Sequence, residues 1–177
     1  MTGPALNREE IEELILSPTP LISGAPHPEI QLQPNGYDLT VAELEIFNSP
    51  GTIFPAHQRA SIPAGTPVPM PKDTLITLTP GPYLVTFNET ITMPPNLVGL
   101  VTPRSSLLRC GATLHTGVWD AGYSGRSQAL LSVLNPHGLR LRANARIAHM
   151  IFITMTNPPR TLYQGRYQGE NTPTGHP

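Results

Sequence analysis

The sequence predicts an all-β domain, a barrel or sandwich of short strands with one short helix near its N-terminus. Three observations carry that expectation. Twenty-two prolines and fifteen glycines punctuate the 177 residues; proline removes a helix donor and glycine loosens the backbone, so long helices are disfavoured. Between these breakers, apolar residues recur in short runs with period 2, the spacing of strands that bury one face. Hydrophobic residues make up 38% of the chain, enough at this length for one domain with a real core.

The one convincing helix starts at Asn7 and runs to about Leu16. Asn7 can cap it, Glu9 and Glu10 fall in the first turn where the helix dipole favours acids, and Ile11, Leu14 and Ile15 share a face. Pro18 and Pro20 stop it. Ile30-Gln31-Leu32 then alternates like a short strand, Pro34-Asn35-Gly36 turns, and residues 38–47 alternate again. Their apolar positions are Leu39 and Val41, then Leu44 and Ile46, and this change of phase predicts a bulge near Ala42. Glu43 and Glu45 would share one face, where solvated glutamates are the commoner arrangement and a paired-carboxylate metal site the rarer one. Residues 48–72, rich in proline and glycine, read as an irregular excursion over the surface. Strands are expected at 74–78, 83–87 and 97–101, with 90–96 as a turn-prone approach to the last, and again at 129–134, 139–141 and 147–154. Residues 1–156 are thus the expected domain, and 157–177 an arm with too few apolar residues to fold alone.

No apolar run approaches the roughly 18 residues that span a bilayer, and the start lacks a basic-then-apolar export signal. The expectation is a soluble cytoplasmic protein without a membrane partner. The single Cys110 excludes an intrachain disulfide framework and a thiolate metal cage, and is expected to be a small buried residue. The formal net charge of -1 conceals an asymmetry: residues 1–100 hold ten carboxylates against Arg8, Arg59 and Lys72, whereas residues 101–177 hold eight arginines against Asp120 and Glu170. That balance argues against duplex nucleic acid, which attracts strongly basic surfaces. It leaves room for a local anionic ligand, because the arginine fork binds phosphate oxygens in pairs.

Two stretches concentrate the chemistry. In Pro103-Arg104-Ser105-Ser106-Leu107-Leu108-Arg109-Cys110-Gly111, a guanidinium, two hydroxyls and turn amides could clamp an oxyanion, with Leu107 and Leu108 anchoring the core; the same residues also suit an ordinary surface turn. In Gly117-Val118-Trp119-Asp120-Ala121-Gly122-Tyr123-Ser124-Gly125, Asp120 is the only carboxylate between Glu89 and Glu170. It is expected in a hairpin, surrounded by Arg104, Arg109 and Arg126, either as a structural ion pair or, if the pocket takes a polyphosphate, as a group that orients water.

Four ordered motifs resemble those of the trimeric dUTPase and dCTP deaminase superfamily: Gly36-Tyr37-Asp38-Leu39, Arg104-Ser105-Ser106-Leu107 with Gly111, the Asp120 stretch, and Asn144-Ala145-Arg146-Ile147-Ala148-His149. The resemblance covers about residues 30–155. The tail Gly165-Arg166-Tyr167-Gln168-Gly169-Glu170 is similar to the closing segment of the archaeal and deaminase branches. The resemblance implies a distorted jelly-roll β-barrel, a homotrimer with interfacial sites, and hydrolysis of dUTP to dUMP and pyrophosphate. It implies that Asp120 is the general base and bonds the 3′-hydroxyl, and that Tyr123 packs on the sugar and excludes a 2′-hydroxyl. Backbone groups of Thr116, Gly117 and Val118 would read uracil. Arg104, Ser105 and Ser106 would hold phosphates from a neighbouring subunit, Asp38, Arg109, Arg146 and His149 would support the site, and Arg166, Tyr167 and Gln168 would close over the triphosphate. Mg²⁺ would be held mainly by that triphosphate, with no protein metal-ligand cluster.

Within the superfamily, the deaminases place a second acid, a Glu, ten residues after the motif Asp. Here that position is Leu130, or Ser132 if two residues are inserted, and no acid occurs from 121 to 169. His115-Thr116-Gly117-Val118-Trp119 also departs from the deaminases' Thr-Ala-His run. These residues favour the hydrolase. The alternatives are a dCTP deaminase, a bifunctional deaminase-hydrolase, or a non-catalytic nucleotide-binding homologue. Other departures from the family pattern are His149 for Gln, Pro103 for Gly and Trp119 for a smaller aliphatic.

Overall fold

The computed structural model describes residues 4–55 and 58–172. Helix α1 (Arg8–Ile15) leads into β1 (Ile22–Ser23), a one-turn helix α2 (Pro28–Gln31), β2 (Leu32–Gln33) and the long β3 (Gly36–Phe47). Then follow β4 (Gly65–Pro67), β5 (Ile76–Leu78), β6 (Gly81–Phe87), β7 (Thr90–Thr92), β8 (Leu97–Pro103), the short helix α3 (Ser105–Arg109), β9 (Ala112–His115) and β10 (Ser124–Gly125). Strands β11 (Gln128–Val133), β12 (Leu139–Leu141) and β13 (Arg146–Thr154) complete the domain. No helix among the described residues is long and apolar enough to cross a membrane.

The helix α1 forms as the residues dictate. Asn7 accepts from Glu10 N, Glu10 reaches back to Asn7 N, and Ile11 is driven into the core. The largest sheet runs β8-β13-β3-β6-β11-β9, with β2 and β4 also pairing β3; a second runs β1-β7-β10 and a third pairs β12 with β5. Its pivot is β3. Residues 37–40 pair with β13, whereas residues 41–47 pair with β6 and β4, and the register slips between Val41 and Glu43. The expected bulge at Ala42 is therefore present, and it bends one strand so that it serves both walls. Tyr37, Leu39, Val41, Phe87, Leu131, Met150 and Phe152 fill the space between them. Gly36 is required where β3 starts, because a Cβ there would meet Met150 O and the His149 ring.

Four local expectations are corrected. Of residues 30–32, expected as a strand, Ile30 and Gln31 instead end helix α2 and only Leu32 is in a strand, β2: Pro28 occupies the first helical turn, and Gln31 turns inward with no exposed surface. Its Nε2 donates to Glu89 Oε1 at 2.7 Å and to Asp38 O at 2.8 Å, while Thr40 N and Thr40 Oγ1 donate to Glu89 at 3.0 and 2.6 Å. A buried carboxyl needs such donors, and burial still pushes the Glu89 carboxyl above the usual carboxylate range while those hydrogen bonds pull it down. Residues 90–92, expected as a turn, are strand β7 between β1 and β10. Cys110, expected buried, is exposed, because it caps a helix of which only Leu107 is buried; Leu108 faces solvent as well.

Candidate active site

The two motif aspartates have unlike surroundings. Asp38 lies on β3 opposite His149 of β13, with 1% of its side chain exposed. Arg104 Nε is 3.0 Å and Arg146 Nη1 3.2 Å from its Oδ2, and His149 Nδ1 is 3.1 Å from its Oδ1. Arg146 Nη1 also donates to Ile30 O, and Arg104 Nη1 donates to Arg146 O at 3.4 Å. Three motifs thus meet on one buried carboxylate. His149 makes its contact to Asp38 through its ring nitrogen Nδ1.

Asp120 is exposed, and no hydrogen bond or ion pair reaches its side chain among the described residues. The expected ring of arginines is not formed within the chain: Arg104 is spent on Asp38, and Arg126 pairs with Glu43 at 3.5 Å. Nor is 117–125 a hairpin. Strand β9 pairs with β11 while β10 pairs with β7, so the segment crosses from one sheet to the other. Trp119 pins the crossing: its backbone exchanges bonds of 2.9 and 3.0 Å with Gly99, and its Nε1 donates to Ser127 Oγ at 3.0 Å.

A cavity of about 340 Å³ opens beside Asp120. Gly117, Val118 and Tyr123 form its loop wall, Phe47 and Ile62 an apolar wall, and Tyr163, Tyr167 and Glu170 a wall supplied by the tail. Residues 163–171 are bonded to the loop of their own chain: Tyr163 N donates to Ala121 O at 2.9 Å, Gly169 N to Ser124 O at 2.7 Å, and Arg126 N to Glu170 O at 3.0 Å. Gln168 is engaged at both ends, accepting from Ser124 N and donating to Gly122 O. Arg166 donates to Ala60 O at 2.7 Å and lies 6.0 Å from the Tyr167 ring centre. Residues 173–177 of the expected arm lie outside the described residues.

The Arg-Ser-Ser clamp stands elsewhere. Rather than a turn, Ser105 and Ser106 begin α3, with Arg104 extended before them and Arg109 exposed in its last turn. Ser106 and Arg146 line a different cavity of about 540 Å³, together with Lys72, Arg140 and Arg142. From Gly99, beside Trp119, to Arg104 the strand path runs roughly 16 Å at ~3.3 Å per residue. Thr116 is half-buried and lines neither cavity. Leu130 and Ser132 lie on β11 facing His115 and Thr113 and do not line the Asp120 cavity.

Sequence reasoning missed Glu170 and Tyr163 as site residues. Tyr123 OH donates to Glu170 Oε1 at 2.8 Å, and the rings of Tyr123 and Tyr163 meet edge-on at 5.7 Å and 71°. Burial, reinforced by Glu170, pushes the Tyr123 phenol up; burial also pushes the Glu170 carboxyl up, against the pull of the Tyr123 bond. Glu170 stood in the quoted tail motif, but nothing in its spacing linked it to Asp120. Glu43 and Glu45 form no metal site: Glu43 pairs with Arg126, Glu45 covers Gly65, and no group of three or more His, Cys, Asp or Glu suited to a metal occurs among the described residues.

A barrel that displays an exposed carboxylate, unpaired among the described residues, beside an aromatic-walled cavity, and buries a second under arginines, has a defined lineage. The chain belongs to the dCTP deaminase-like family, whose pattern matches residues 5–155. Within that family it is similar to proteins of a particular kind. A probable deoxyuridine 5′-triphosphate nucleotidohydrolase of Methanosarcina mazei is 43% identical over 167 residues, 94% of this chain and 98% of that protein. One from Aeropyrum pernix is 43% identical over 144 residues, 81% of this chain and 89% of that protein. Among solved structures, the 2′-deoxycytidine 5′-triphosphate deaminase of Agrobacterium tumefaciens shares the fold with a TM-score of 0.68 at 18% identity, covering 87% of this chain and 49% of that one. This chain therefore spans about half of that deaminase's length.

Proposed function

We propose that the protein is a dUTP diphosphatase, converting dUTP and water to dUMP and pyrophosphate. The observation that carries the reading is an exposed Asp120 with no partner among the described residues, beside a cavity of nucleoside size, in a chain 43% identical over nearly its full length to a relative named for that reaction. Asp120 accepts a proton from water as the water oxygen bonds to the α-phosphorus. The bond from the α-phosphorus to the bridging oxygen breaks, and pyrophosphate leaves with that oxygen. Tyr123 packs on the deoxyribose, and the backbone of Gly117 and Val118, which line the cavity, reads the uracil edge.

The phosphates call for a second chain. Arg104, Ser105 and Ser106 are too far along the strand to serve the Asp120 cavity of their own chain, which supports a homotrimer in which a neighbour's clamp faces that cavity. Arg166 releases Ala60 O to reach the triphosphate, with Tyr167 and Gln168 beside it. Mg²⁺, held by triphosphate oxygens of the nucleotide, would neutralise charge on the leaving pyrophosphate. One observation favours a second reading. Glu170 is a further carboxyl in the same cavity, held in a setting that favours its proton, as a deaminase would need.

A product assay across dUTP, dCTP, dTTP and UTP, with and without Mg²⁺, separates these readings. The hydrolase reading expects pyrophosphate from dUTP, dependent on Mg²⁺, and no ammonia from dCTP. Ammonia from dCTP that disappears in Glu170→Gln would establish the deaminase reading instead, and no turnover of any nucleotide would establish a silent binding protein.

A further inference from the structure

The tail does more than lie near the cavity. It fixes the one side chain to which sugar selection is assigned. Tyr123 is held from two sides, both supplied by the tail of the same chain: its hydroxyl donates to Glu170 at 2.8 Å, and its ring edge meets Tyr163 at 5.7 Å between centres. Glu170 is in turn fixed through its backbone, since its carbonyl accepts from Arg126 N at 3.0 Å and the preceding Gly169 N donates to Ser124 O at 2.7 Å. Gly125 makes room for the arrangement; a Cβ there would stand 2.7 Å from the Tyr123 hydroxyl and 3.2 Å from Glu170.

We propose that Glu170, with Tyr163, is a positioning residue for sugar discrimination: by clamping the Tyr123 ring, it turns a movable aromatic wall into a rigid one. The inference rests on the dUTP-hydrolase reading and on Tyr123 facing the sugar. Steric exclusion of a single hydroxyl is only as strong as the wall is stiff. Overpacking is costly when neighbours cannot yield, and nearly free when a side chain can swing to another rotamer. A ring tethered at its hydroxyl and along its edge cannot swing away from a 2′-hydroxyl. The clamp needs an acceptor at residue 170 rather than a negative charge, because the phenol is the donor.

The test is the ratio of kcat/KM for dUTP to that for UTP, measured in the full chain. Glu170→Ala should lower the ratio about tenfold, the worth of one good hydrogen bond, mainly by raising kcat/KM for UTP. Glu170→Gln, whose amide oxygen still accepts, should keep the wild-type ratio. Tyr123→Phe should match Glu170→Ala, and the double variant should fall no further. Tyr163→Leu should shift the ratio in the same direction by less, and it provides the readout if Glu170→Ala fails to fold. An unchanged ratio in Glu170→Ala, or equal losses for both nucleotides, overturns the clamp while the hydrolase reading stands. A wild-type protein that leaves dUTP intact overturns the hydrolase reading itself.

Discussion

Asp38 and Asp120 come from the first and third of the four motifs, yet the fold treats them in opposite ways. Asp38 sits under two arginines and a histidine with almost no exposed surface, so its charge is consumed in tying β3, β13 and the start of α3 together. Asp120 stands in a crossing segment, exposed and unpaired among the described residues. A motif marks both positions equally. The surroundings separate the carboxylate that holds the barrel from the one available to take a proton.

Exchanging each acid for its amide tests this contrast. Asp120→Asn should lower kcat for dUTP by roughly 10³-fold, the range expected when a general base is removed, while nucleotide affinity by calorimetry stays near wild type and the denaturation midpoint does not move. Near-normal turnover would remove Asp120 as the base. Asp38→Asn should do the reverse in kind: a loss of about 3 kcal/mol in urea denaturation, because a buried charge network loses its centre, with kcat reduced far less than in Asp120→Asn. Equal catalytic losses in the two variants would erase the distinction.

A smaller effect belongs to Glu89, the other buried acid. Its carboxyl is pushed above the usual range in the folded chain, so its contribution to stability is fully present below the ordinary glutamate range and is lost as pH rises through the folded-state value. Denaturation of wild type and Glu89→Leu across pH should show the wild type's advantage shrinking from acid toward neutral pH. An advantage that grows over that interval would contradict the assignment.

Much of the fold was legible because it rests on local rules. The capping residues of α1, the period-2 runs of β6, β8, β11 and β13, and the phase change at Ala42 each follow from neighbours in sequence. What was hidden depends on distant partners. Nothing local shows that Gln31 turns inward to meet Glu89, so residues 30–32 resemble a strand by alternation alone. Asp120 and Tyr123 stand out by their motif, but Arg104 has as good a charge match with Asp120 as with Asp38, and only the pairing of β8 and β3 on either side of β13 decides between them. Glu170 was invisible as a site residue for the same reason: its partner Tyr123 is fixed by the return of the tail, which hydrophobic patterning does not reveal.

The most direct test of the account is hydrolysis of dUTP by the wild-type chain in water enriched with oxygen-18. Water oriented by Asp120 toward the α-phosphorus places the label in dUMP and leaves pyrophosphate unlabelled. Label in pyrophosphate, or a product set without pyrophosphate, would contradict it.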